Sequence, residues 1–196
     1  MTYSIVTTDP LVSPVFANDF ADWARLDSDD PAISSCLTMA TSLVISFLKL
    51  DLLTRTYTLK YKHWPTIGTN TFPSVARNNS YYKGLIDLPY ANLVAVTSVK
   101  LGGVLSTDYI TVNGKPDKLE FDTVTTYDDD TVALEVIYTA GFGTVDDIPQ
   151  PILDAIMVTA SFIYSHRGGC NVGNAVHDSG AGMLLAPFAV MGGLIL

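Results

Sequence analysis

The sequence predicts an α+β fold: a small helical bundle, made of two N-terminal helices and one C-terminal helix, with an antiparallel β region inserted in it. Three observations predict this. Apolar residues recur at helical spacing near residues 14–26, 31–47 and 150–167. From Leu53 to Thr139 the pattern shifts to alternation rich in β-branched and aromatic residues. Turn residues, among them Gly102-Gly103 and Asn113-Gly114, punctuate that middle stretch. The expected organisation is an N-terminal helical part over 1–50, a β region over 51–140 and a closing helix over 141–168 that packs on the first two. A glycine-rich loop and an apolar docking tail follow over 169–196, all within one structural domain.

Residues 1–13 read as extended. Ser13-Pro14 then predicts a helix start, with serine as cap and proline at the first helical position, running to about Leu26. Asp27-Ser28-Asp29-Asp30-Pro31 repeats that grammar for a second helix. Its apolar positions are Ile33, Leu37, Ala40, Val44 and Phe47. Its opposite face carries Ser34, Ser35, Thr38, Thr41, Ser42 and Ser46, small and uncharged, which suits another helix better than water. The spacing of the aspartates lacks the alternating ligands and closing glutamate of a calcium loop, so capping is the preferred reading.

Strands are expected over 53–62, 81–88, 93–101, 109–112 and 118–121, with an exposed loop over 66–80 and a solvated turn at Asp128-Asp129-Asp130. Thr131–Thr139 reads as the strongest strand, with Val132, Leu134, Val136 and Tyr138 on one face. Gly141-Phe142-Gly143 turns the chain. Pro149 and Pro151 sit in the first turn of the closing helix, where a missing N–H costs little. Gly168 is expected to end that helix.

Composition narrows the function. Charged residues make up 16% of the 196, against about 25% in ordinary soluble chains. The shortage predicts that neighbours cover much of the surface. A net charge of −9 disfavours nonspecific DNA binding. The two cysteines, Cys36 and Cys170, make no disulfide framework. The first ten residues lack a basic and an apolar signal-peptide region, and no run of 18 apolar residues predicts a membrane span.

Chemistry-bearing motifs are missing where they would be needed. Gly141-Phe142-Gly143 holds no serine for a nucleophile elbow, no lysine for a phosphate loop and no third glycine for a dinucleotide site. His166, Cys170, His177 and Asp178 match no compact zinc spacing. Trp64, Phe72, Tyr81 and Tyr82 lack the interleaved basic residues of a base-stacking surface. No catalytic residue, metal ligand or cofactor is expected.

Several stretches together resemble the head–tail connector (adaptor, or head-completion) proteins of long-tailed bacteriophages. They are Pro14-Val15 with Phe20 and Arg25-Leu26-Asp27, the helix from Asp30 to Phe47, and Leu53-Thr54-Arg55-Thr56-Tyr57. The most distinctive is Val136–Gly143 with Ile148-Pro149, Ile152, Ala155 and Tyr164–Arg167, followed by Leu184-Leu185-Ala186-Pro187-Phe188. The resemblance implies a structural virion protein, assembled in the host cytoplasm, that forms a homo-oligomeric ring in the neck between capsid and tail. Its implied partners are the portal protein, a tail-completion or stopper protein, and double-stranded DNA that passes through the lumen without specific binding; no membrane is involved. Ser34, Thr38, Thr41, Tyr164 and Arg167 are the expected subunit-interface residues. Met183, Leu184, Leu185, Pro187 and Phe188 are expected to dock on the portal or a neighbour. Residues 66–80 and 168–182 are the loops expected to change on assembly. The competing readings are a tail-completion or tail-terminator protein of the same neck, and a small ligand-binding or hydrolytic α+β enzyme.

Overall fold

The computed structural model describes residues 3–62, 84–90, 92–114, 117–121, 132–166 and 172–189. The fold is α+β, and the chain divides into two compact units. One comprises Met1–Asp9 with Arg55–Ala140, the other Pro10–Thr54 with Gly141–Leu196. The sequence reading treats the chain as one domain and assigns 1–50 to the helical part. Its first nine residues instead belong with the strands.

The β unit contains β1 (Tyr3–Thr7), β2 (Arg55–Tyr61), β3 (Gly84–Asp87), β4 (Leu93–Leu101), β5 (Val104–Leu105), β6 (Tyr109–Val112), β7 (Lys118–Phe121) and β8 (Leu134–Ala140). They form a five-stranded sheet in the order β1-β2-β8-β4-β5 and a three-stranded sheet in the order β3-β7-β6. Every pairing is antiparallel.

Alternation decides which face of β8 is buried. Leu134, Val136, Tyr138 and Ala140 are buried, and in register they meet Tyr61, Leu59, Tyr57 and Arg55 of β2. Ile86 of β3, Leu88 just after it, and Leu119 and Phe121 of β7 join the same cluster, so one core serves both sheets. The Tyr138 hydroxyl donates to the Pro89 carbonyl, and burial pushes that phenol well above its ordinary pKa. Asp117 is buried, and its carboxylate accepts two backbone N–H groups. Its Oδ2 accepts the Leu93 N–H at 2.7 Å and its Oδ1 accepts the Gly114 N–H at 2.9 Å, which fixes the approach to β4 and the β6–β7 turn.

The helical unit contains α1 (Ala17–Ala24), α2 (Ala32–Leu48), α3 (Gln150–Ser165), α4 (Ala175–Asp178) and α5 (Ala181–Leu185). The expected opening of the first helix shifts by three residues. Ser13 Oγ accepts the Val15 N–H at 3.2 Å, a local turn that competes with helix, and α1 begins only at Ala17. Asp30 starts α2 as expected, its Oδ1 accepting the Ala32 N–H at 2.8 Å. Ile33, Leu37, Ala40, Val44 and Leu48 of α2 are buried, as are Ile152, Ala155, Ile156, Thr159 and Ile163 of α3, which packs against it.

At the other end of α2, Phe142 N–H donates to the Leu52 carbonyl and Thr54 N–H to the Gly143 carbonyl, both at 3.1 Å. The Gly-Phe-Gly turn is thereby laid against the segment that follows α2. Thr144 and Asp147 then form a reciprocal cap leading toward α3. The Thr144 backbone N–H and hydroxyl hold the Asp147 carboxyl below its usual pKa.

The glycine-rich stretch needs correction. Where residues 168–182 read as a polar loop, 172–182 contain a 3-10 turn, α4 and the start of α5. Ala175, Val176 and Ala181 are buried, and the His177 ring meets Phe47 edge-on at 5.4 Å. Apolar burial at three small residues outweighs the poor helix propensity of the glycines around them. The expected loop over 66–80 and the turn at 128–130 lie outside the described residues.

Candidate assembly interface

The 17 residues of α2 include no Asp, Glu, Lys or Arg. An exposed helix face ordinarily carries charge. Here Ser34, Ser35, Thr38, Met39, Ser42 and Ser46 are exposed, giving a smooth uncharged strip. The Thr38 hydroxyl donates to the Ser34 carbonyl at 2.9 Å, turning its polar group back onto the helix and leaving its methyl outward. Small side chains let another backbone approach closely.

The predicted interface residues do not all share this strip. Ser34 and Thr38 lie on it. Thr41 is fully buried, its hydroxyl 2.8 Å from the Leu37 carbonyl and 3.1 Å from Ser13 Oγ, and so is withdrawn from any surface. Tyr164 is partly buried and donates its hydroxyl to Asp30 Oδ2 at 2.6 Å, tying α3 to the start of α2. Arg167 lies outside the described residues.

The predicted docking segment divides in the same way. Met183 is 83% exposed and Leu184 39%, and Pro187 is also open to solvent. Leu185 is fully buried and Phe188 partly so. Leu185 therefore anchors α5 while its neighbours offer an apolar surface. Two further exposed aromatics are Phe16, immediately before α1, and Trp23, within it.

On the outward face of the five-stranded sheet, Glu135 receives Lys60 Nζ at 2.8 Å and Lys100 Nζ at 2.9 Å. Hydrogen bonds from Lys60 and then Lys100 hold this carboxyl below its usual pKa. The row joins β2, β8 and β4 side by side. Two open depressions of about 290 and 300 Å³ lie on this unit, one beside Lys100 and Glu135 and one lined by Ser4, Val6, Thr8, Thr56, Thr58 and Lys60. In each, the lysine is ion-paired to Glu135. Among the described residues no group of three or more His, Cys, Asp or Glu is placed to hold a metal ion.

No family model matches the sequence, and no curated protein matches it. Solved structures do match. A chain in the neck of the empty gene transfer agent (GTA) particle, computed with C6 symmetry, superimposes with a TM-score of 0.69 at 18% identity, covering 100% of this chain and 99% of that one. A chain in the neck of the native GTA particle, computed with C12 symmetry, gives 0.67 at 17% identity over 100% and 99%. A chain in the virion of the native particle gives 0.65 at 16% identity over 98% of each. Across essentially its whole length, the chain has the fold of a chain in the neck of gene transfer agent particles.

Proposed function

We propose that the protein is a structural component of a phage-type virion neck, a head–tail connector that assembles as a ring between portal and tail. The observation that carries this reading is the end-to-end correspondence of the fold with neck chains. The uncharged strip of α2 supports it, because a helix face without charge is poorly suited to permanent exposure. In this reading Ser34 and Thr38 meet the adjacent subunit. Met183, Leu184 and Pro187 dock on the portal or a neighbour, and DNA passes through the lumen without specific contacts. The rotational symmetry of the similar neck chains supports a ring of six or twelve copies.

Native mass spectrometry of the full-length protein, alone and with portal, tests the ring. The wild type is expected to form a closed oligomer, and Ser34→Arg/Thr38→Arg is expected to remain monomeric with an unchanged circular dichroism spectrum. Rings of normal size from that variant would remove α2 from the interface.

A further inference from the structure

An outer strand leaves a row of backbone N–H and C=O groups open, and soluble proteins guard such rows with charge, proline or a bulge. Among the described residues β1 pairs only with β2, over five consecutive registers without interruption. Its sequence, Tyr-Ser-Ile-Val-Thr, contains no charge and no proline. β6 likewise pairs only with β7, over four consecutive registers, and reads Tyr-Ile-Thr-Val. Tyr3, Val6 and Ile110 are each about half exposed, and Val112 a little over a third. The other two edges differ. β5 has only two residues, and β3 ends in Asp87, ion-paired to Lys118 at 3.1 Å.

The two edges belong to different sheets of the β unit. β1 and β5 are the outermost strands of the five-stranded sheet, and only Ser106–Asp108 separates β5 from β6. Four neighbouring strand spacings put β1 about 19 Å from β5. A two-fold dimer uses one patch that matches itself, whereas a ring uses two different patches, each meeting the other on the next copy. Two unlike edges, on different sheets, meet the second requirement.

Resting on the ring reading above, we propose that neighbouring copies join edge to edge, with β1 of one subunit pairing with β6 of the next. Main-chain hydrogen bonds then run from subunit to subunit around the ring, and both edges are covered at once. Strand addition of this kind gains affinity from the backbone and needs little side-chain specificity.

Hydrogen exchange on the full-length protein, before and after ring assembly, tests the proposal. The outward-pointing amides of Tyr3–Thr7 and Tyr109–Val112 are expected to slow by about tenfold or more on assembly. In a Cys170→Ser background, one of the register pairs Ser4→Cys/Thr111→Cys, Ser4→Cys/Ile110→Cys or Val6→Cys/Thr111→Cys is expected to give a ladder of disulfide-linked oligomers. Assembled rings in which either edge exchanges as fast as in the monomer, or in which no pair gives a ladder, overturn the edge pairing and leave the ring reading standing. Failure of the wild type to form any ring, alone or with portal, overturns both.

Discussion

A Cβ atom added at Gly141 would lie 2.4 Å from the Leu53 carbonyl oxygen and 2.8 Å from Thr54 Cα, where φ is already +137°. These nearest atoms are all backbone, which leaves no flexible side chain to move aside. Gly141→Ala is therefore expected to destabilise the protein by about 3 kcal/mol or more, read as a lower urea midpoint at unchanged slope. The sequence made the turn legible, because two glycines flanked one aromatic after a strong strand. It did not make legible the segment against which the turn is pressed, since Leu53 is 88 residues away and nothing local encodes that approach. Glu135 gives a second test at this scale. Its folded pKa is depressed, so its stabilisation is present above the unfolded value of about 4.5 and is lost as the pH falls through the folded value. Glu135→Gln is expected to cost about 0.5–1 kcal/mol at pH 7, given the exposure of both lysines, and less at pH 3. Equal losses at both pH values would show that the charge is irrelevant.

Among the elements, α2, α3, β4 and β8 were legible because each sustains its period long enough to outvote local noise. β4 runs over the nine residues expected of it, and β8 buries Leu134, Val136 and Tyr138 of the assigned face, whereas Val132 precedes the strand and is exposed. β1 was not legible as a sheet strand. Its buried side consists only of half-covered Tyr3, Ile5 and Thr7, whose place is set by pairing with a strand more than 50 residues later. β5, at two residues, is shorter than any periodicity. Within the C-terminal segment the sequence pointed to an apolar cluster but could not divide anchor from offered surface, because α5 is too short to show a phase. That division is testable. Leu185→Ala is expected to destabilise the chain by about 2–4 kcal/mol, as for other fully buried leucines. Met183→Asp is expected to change stability by less than about 0.5 kcal/mol and to weaken portal binding in a pull-down. If Met183→Asp binds portal as the wild type does, α5 is packing and not a docking site.

For the molecule as a whole, charge distribution and assembly belong together. Asp19, Asp22, Asp27 and Asp29 are all exposed on α1 and the turn after it, in a chain of net charge −9. If such carboxylates face the lumen, they keep passing DNA from adhering by repulsion that salt screens over about 10 Å at 0.1 M. Replacing these four aspartates by lysine is then expected to slow DNA ejection from assembled particles, most at low salt, with no change in ring size. The end-to-end likeness to neck chains, together with a helix face that carries no charge, makes assembly the property to measure. Electron microscopy of the full-length protein mixed with portal does so most directly. The expected result is a closed ring coaxial with the portal, its central opening wide enough for duplex DNA. A protein that stays monomeric at every concentration and leaves the portal bare would contradict it.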